Sequence, residues 1–334
     1  MIWLVKMKNK AEDLLQGVGS YNFENSVVLI SGNEEGLTFK VQNIIFEKIK
    51  SSKSVEKIIL DYKDLDKSTL KEKVAGQSLF NEFLFIQINN VGEKIISFID
   101  EIKIEGVTII LIGKNIKSSS KAKKYFDLHK KFYSFACYKL SDSFKKKHID
   151  KFIQKIGLVL TKESYWYLVY NSANEFLLLE SELEKISVYK KEKIGLDEMI
   201  KLLSSTNKLE FDELYFNSIA GSRSKIIGES EKTIRSSSDA YIFLEVVKSF
   251  SKIFTKTSEK KLEQNINSLS RNYLPKYLFK QSNNFELAIN KFNFEKIVAI
   301  NKLLQKTELY LRKNDSNYVM IIQRFLLNFS RIIK

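Results

Sequence analysis

The sequence predicts an α/β domain followed by an all-α region. Up to about residue 140, apolar runs of strand length alternate with segments of helical spacing. The strands are apolar on both faces, which calls for a mainly parallel sheet covered by helices on each side. From Ser141 onward no strand-like run follows. One Pro and 12 Gly in 334 residues leave little chain for coil.

Ser26 to Ile30 is a compact apolar strand ending in Ser31-Gly32, and Phe39, Val41, Ile44, Ile45 and Ile49 repeat at helical spacing behind it. Val55 to Tyr62 reads as the next strand, Asp66 to Val74 as a helix capped by Asp66, and Phe83 to Ile88 as a third strand. Glu93 to Ile102 is helical, Val107 to Ile112 is an almost wholly apolar strand, and Ser119 to Lys131 is a helix behind a Ser cap. Phe135 to Tyr138 closes the series. Helical segments then run over Asp142 to Ile156, Lys162 to Tyr170, Phe176 to Tyr189 and Leu196 to Leu203, with Gly157 and Gly195 as breaks. After Ser204-Ser205-Thr206-Asn207 come Glu210 to Ile219, Ser224 to Arg235, Ala240 to Thr255 and a long helical tail. Its last helix carries Val319, Ile322, Phe325, Leu326, Phe329 and Ile333 on one face. The expected domains are 1–140 (α/β), 141–207 (small, helical) and 208–334 (helical).

Composition narrows the function. A single Cys137 excludes a disulfide framework, and His129 and His148 alone supply no metal-ligand spacing, so no metal is expected. No apolar stretch reaches the length of a membrane helix, so a soluble, cytoplasmic protein without a membrane partner is expected. The formal charge of +15 invites a nucleic-acid reading. The basic residues are nearly all Lys, however, in a chain rich in Asn, Ile, Phe and Tyr, so much of that charge reads as solvated surface. All six Arg lie at or beyond Arg223.

The turn after the first strand stands where a phosphate-binding loop would lie. Such a loop needs G-x-x-x-x-G-K-[ST], which supplies backbone N–H groups, an ammonium and a magnesium-binding hydroxyl. The chain reads Gly32-Asn33-Glu34-Glu35-Gly36-Leu37-Thr38: one residue short, with Leu37 in place of Lys and two carboxylates that repel phosphate. The third strand ends Ile88-Asn89-Asn90, without an acidic residue for magnesium. Neither a nucleotide cofactor nor a catalytic site is therefore expected. His129 and His148, set among lysines, read as solvated surface residues, and Cys137, on an apolar strand, as core.

Leu79 and Phe80, in Ala75-Gly76-Gln77-Ser78-Leu79-Phe80-Asn81, are two large apolar side chains at a strand mouth, among small and polar neighbours. They read either as core or as a surface that another protein buries.

Four stretches together resemble the delta subunits of bacterial DNA polymerase III clamp loaders: Leu29 to Leu37, Gln77-Ser78-Leu79-Phe80, Phe135 to Tyr138, and Leu179 to Ile186. The resemblance implies an AAA+ type, P-loop-like α/β domain, a small helical lid and a helical collar. It implies a non-catalytic subunit of a polymerase holoenzyme that joins three motor subunits and a delta-prime subunit and opens the sliding clamp for loading onto primed DNA. Leu79 and Phe80 would enter a pocket on the clamp, flanked by Gln77 and Ser78; the family often has a larger apolar residue where Gln77 stands. An active AAA+ motor ATPase and a stand-alone basic DNA-binding protein are the competing readings. The absence of Arg from residues 1–207 implies that neither the first domain nor the lid supplies an arginine finger, which places the chain at an end of an open ring.

Overall fold

The computed structural model describes residues 10–17, 21–75, 83–114, 116–117, 119–129, 131–189, 193–203, 208–220 and 223–334. Two compact units result, one of residues 1–156 with 173–188 and one of 157–172 with 189–334.

In the first unit a short helix α1 (Ala11–Leu15) precedes β1 (Val27–Ser31), α2 (Glu35–Lys50), β2 (Val55–Asp61), α3 (Lys67–Ala75) and β3 (Phe83–Asn89). There follow α4 (Ile96–Ile99), β4 (Val107–Gly113), α5 (Lys121–Leu128) and β5 (Tyr133–Ala136). The strands form one parallel sheet in the order β2-β3-β4-β1-β5, with Val27 beside Ile109 and Val28 beside Tyr133. Every residue of β1 and β4 is buried, as a central strand covered on both faces requires, whereas edge strand β2 is partly solvated, with Ile59 57% exposed. Because side chains alternate, Val27, Leu29, Ile86, Ile88, Ile109 and Leu111 share one core with Leu70, Ile95 and Phe126. Phe85 points the other way, its ring 5.1 Å from Phe46 of α2. The predicted α/β alternation is thus observed. Asp66 caps α3 as expected, accepting from Thr69 N at 2.7 Å. The stretch read as one helix from Glu93 to Ile102 is a 3-10 turn followed by the four residues of α4, and the last strand lies two residues earlier than its apolar run suggested.

Helices α6 (Asp142–Ile156) and α8 (Phe176–Val188) belong to this unit. The second contains β6 (Val159–Leu160), α7 (Lys162–Asn171), β7 (Lys193–Ile194) and α9 (Leu196–Leu202). The two-residue strands pair in parallel, and Ser164 Oγ donates to Ile194 O at 2.8 Å. The unit continues through α10 (Lys208–Ala220), α11 (Arg223–Thr233), α12 (Ser237–Lys260), α13 (Ile266–Tyr273), a 3-10 segment Lys276–Gln281, α14 (Ser282–Lys291), α15 (Phe294–Lys313) and α16 (Tyr318–Ile333). Its core is aromatic. Phe243, Val247, Phe250 and Phe254 line one face of α12, Tyr215 stacks on Phe250 at 4.9 Å, and Phe254 stacks on Phe292 at 4.4 Å. On α16, Ile322, Phe325, Leu326, Phe329 and Ile333 are buried, as their spacing predicts. No helix among the described residues is long and apolar enough to cross a membrane.

A carboxylate is buried inside this unit. Asp212 on α10 is 1% exposed and accepts a hydrogen bond from Tyr277 Oη at 2.7 Å. Tyr277 in turn lies edge-on to Tyr167 of α7 at 5.6 Å, and the buried Tyr167 hydroxyl has no hydrogen-bond partner among the described residues. Burial pushes the Asp212 carboxyl up to about 7 against the pull of Tyr277.

Candidate functional site

β1 delivers the chain to Gly32, whose φ of +130° suits glycine alone. A Cβ built there would lie 2.0 Å from the Cys137 carbonyl oxygen. The chain leaving β5 therefore lies across the turn, with Cys137 N donating to Ser31 O at 2.7 Å and Glu34 N donating to Cys137 O at 3.1 Å. The next residues close the helix that follows. Glu34, only 7% exposed, accepts the Leu37 N–H through its carboxylate and caps α2, while Thr38 Oγ1 donates to Glu34 O at 2.9 Å. A helix N-terminus is where a phosphate would bind. Here the position is taken by a carboxylate of the chain itself.

The surrounding residues complete the closure. Leu37, at the position of the missing Lys, is 1% exposed. A Cβ on Gly36 would lie 2.7 Å from Leu177 Cγ, so α8 packs directly on the first turn of α2. At the same edge of the sheet Gln87 Nε2 donates to Asn89 Oδ1 at 2.9 Å, and Asn90 Nδ2 donates to Asp61. The Lys63 N–H and the Asn90 amide hold the Asp61 carboxyl below its usual range. Glu35 turns outward to an ion pair with Lys114 at 2.6 Å. The Cys137 thiol is pushed up to about 12 by burial, so it is neutral and packed as a core residue.

The histidines are less solvated than their lysine-rich surroundings suggest. His148 bonds through Nε2 to Glu180 at 2.6 Å and stacks on Phe144 at 5.8 Å, and its hydrogen bond holds the Glu180 carboxyl low. The His129 ring stacks on Phe132 at 3.6 Å. Both are packed by aromatic neighbours far along the chain or across a turn, which a count of adjacent charges does not register.

Gln77, Ser78, Leu79 and Phe80 lie outside the described residues. Their flanks are well anchored. Glu101 joins Lys67 at 2.5 Å and Lys71 at 2.7 Å, which ties α3 to the chain after α4, and the two ammonium groups hold its carboxyl at about 2. Phe83 opens β3 opposite Val55. Since all five strands are parallel, this entry lies at the edge where strands begin, opposite the closed turn.

No family model matches the chain. A curated relative described as a probable DNA polymerase III subunit delta, from Rickettsia prowazekii, is 20% identical over 304 residues, spanning 87% of this chain and 91% of the relative. Among solved structures, the DNA clamp loader delta protein YqeN of Bacillus subtilis matches 96% of this chain and 98% of its own, at 13% identity and a TM-score of 0.50. The chain resembles the delta subunit of a bacterial DNA polymerase III clamp loader. Beside that likeness, RuvB of Thermotoga maritima matches 61% of the chain at 13% identity and a TM-score of 0.36. The match to YqeN shows the fold, a parallel α/β domain continued by helices, which is what the alternating strands and helices predicted.

Proposed function

We propose that the chain is the non-catalytic subunit of a clamp loader, which binds a sliding clamp through Leu79 and Phe80 and opens its ring for loading onto primed DNA. The observation that carries the reading is the likeness to a polymerase III delta subunit over 87% of the chain. The turn after β1 favours this over a motor ATPase, because Glu34, Leu37, Leu177 and the Cys137 carbonyl fill the place of a nucleotide's phosphates. Gln77 and Ser78 flank the two anchors. The helical region 208–334 joins the motor and delta-prime subunits. Mixing the chain with a purified bacterial sliding clamp and resolving the mixture by size exclusion tests the proposal directly: a stable complex is expected, and co-elution failing at micromolar concentrations of both would refute it.

Calorimetric titration with ATP or ADP and magnesium should show no stoichiometric site. Leu37→Lys alone should not create one, since the new ammonium would be buried beside Glu34 and the loop would still be one residue short. A magnesium-dependent isotherm with the unaltered chain would overturn the non-catalytic reading.

With no Arg in residues 1–207, the chain has no guanidinium in its first two domains to complete a neighbour's ATP site, so it occupies an end of an open ring. The later arginines include two with structural contacts: Arg235 pairs with Glu210 at 3.3 Å, and Arg324 sits over Tyr310 at 5.9 Å. Replacing any of the six by Ala should leave the hydrolysis step of the assembled complex essentially unchanged. A loss of roughly a thousandfold from one replacement would show that it acts as a finger and remove the end position.

A further inference from the structure

A groove of about 780 Å³ opens in the second unit between α7 and the stretch from α13 to α14. It lies within the size range of sites that hold a compact ligand or peptide segment. Trp166, Pro275 and Phe279 form its apolar surface, and Phe279 is 49% exposed. Lys162, Arg271 and Lys276 stand around it. None of these three cations makes an ion pair with another described residue, unlike the lysines that pair with Glu101. The wall is preformed. Pro275, the single proline of the chain, starts the 3-10 segment, Leu278 N closes onto Pro275 O at 2.8 Å, and Tyr277 is buried beneath. A rigid wall spares a ligand the entropy of ordering it.

The combination selects a class of partner. Lys162 and Arg271, with Lys276 held over the Trp166 ring, attract negative charge, and the exposed phenyl ring of Phe279 beside a half-buried indole offers contact to one large apolar side chain. Single-stranded nucleic acid, the other anionic class, binds on free aromatic faces that stack successive bases. The Trp166 ring is not free for this: the Lys276 ammonium lies 4.1 Å from its centroid, and Tyr165 and Tyr170 pack at 5.0 and 6.0 Å. Two carboxylates, Glu163 and Glu286, also line the groove; they can accept backbone N–H groups of a peptide, so the acidic side chains of the segment have to face Lys162 and Arg271 instead. We propose that this groove docks an acidic peptide segment bearing a large apolar side chain, supplied by a partner protein. The proposal does not depend on the clamp reading, since it uses neither Leu79 nor Phe80.

The test uses the full chain and a dye-labelled peptide, Glu-Asp-Leu-Phe-Glu-Asp, followed by fluorescence anisotropy at low and high salt. Saturable binding is expected, weaker at high salt because the attraction is screened. Phe279→Ala and the pair Arg271→Glu with Lys276→Glu should each weaken it roughly tenfold or more, at unchanged melting temperature. A peptide with Ser in place of Leu and Phe should bind at least that much more weakly. Absence of saturable binding, equal binding by the Ser peptide, or indifference to both variants would overturn the proposal. So would oligo-dT competing for the groove and losing affinity in the same variants, which would assign the site to nucleic acid.

Discussion

Replacing Leu79 and Phe80 together by Ala is expected to abolish binding to the sliding clamp while leaving the melting temperature of the chain unchanged. An apolar anchor in a desolvated pocket typically costs about 2 kcal/mol or more when truncated, so the pair weakens binding roughly several hundredfold. The fold should survive, because the elements on either side hold by themselves. α3 is capped by Asp66 and tied to Glu101, and β3 is paired along its length with both β2 and β4. Surface plasmon resonance against an immobilised clamp and a thermal melt of the same protein separate the outcomes. A drop in melting temperature on the scale of a core deletion, about 2–5 kcal/mol for one Leu→Ala, would make Leu79 and Phe80 core residues and remove the clamp-binding assignment.

The second large effect concerns Asp212. Its carboxyl titrates near 7 in the folded chain against an ordinary value of 3.8, because burial disfavours the charge and one Tyr277 hydroxyl only partly offsets that. Lys208 and Glu213 act on it from α10, lowering and raising it in turn, while Tyr167 and Tyr170 lie around Tyr277. The sign follows from proton counting. Between about pH 4 and pH 7 the unfolded chain has released this proton and the folded chain retains it, so stability falls as pH rises through that window and levels off above it. A difference of this size corresponds to a cost on the order of 4 kcal/mol at pH 8. Asp212→Asn keeps an acceptor for Tyr277 and removes the titration. The Asn variant should melt well above the parent at pH 8 and close to it at pH 5. Parallel curves for the two proteins across that range would contradict the assignment.

The α/β alternation was readable because β1 and β4 are continuous apolar runs and α2, α12 and α16 repeat their apolar residues at helical spacing. The failed phosphate loop was readable too, since a missing Lys and a short spacing are local facts. What filled the loop was not. The Cys137 carbonyl is a backbone atom just beyond β5, which lies beside β1 in the sheet but is the last strand of the sheet along the chain, and Leu177 comes from a helix some 140 residues later. Pairing in β6 and β7 escaped for another reason: two residues carry no period. The groove beside Trp166 was equally hidden, because Lys162 and Lys276 are ordinary surface lysines until α7 and the Pro275 turn place them together.

Glu34 has one further consequence. Its carboxylate is a ligand tethered within a few bonds of the amides it satisfies, so its effective concentration at that helix end is fixed by the chain and not by the solution. A protein that gains stability from a bound metabolite loses that share when the metabolite runs short, in proportion to the logarithm of its concentration. This α/β unit carries its counter-anion internally. On the proposed reading, in which this turn holds no nucleotide, its folding is insulated from the energy charge of the cell: the same turn would stand whether nucleoside triphosphate is abundant or exhausted.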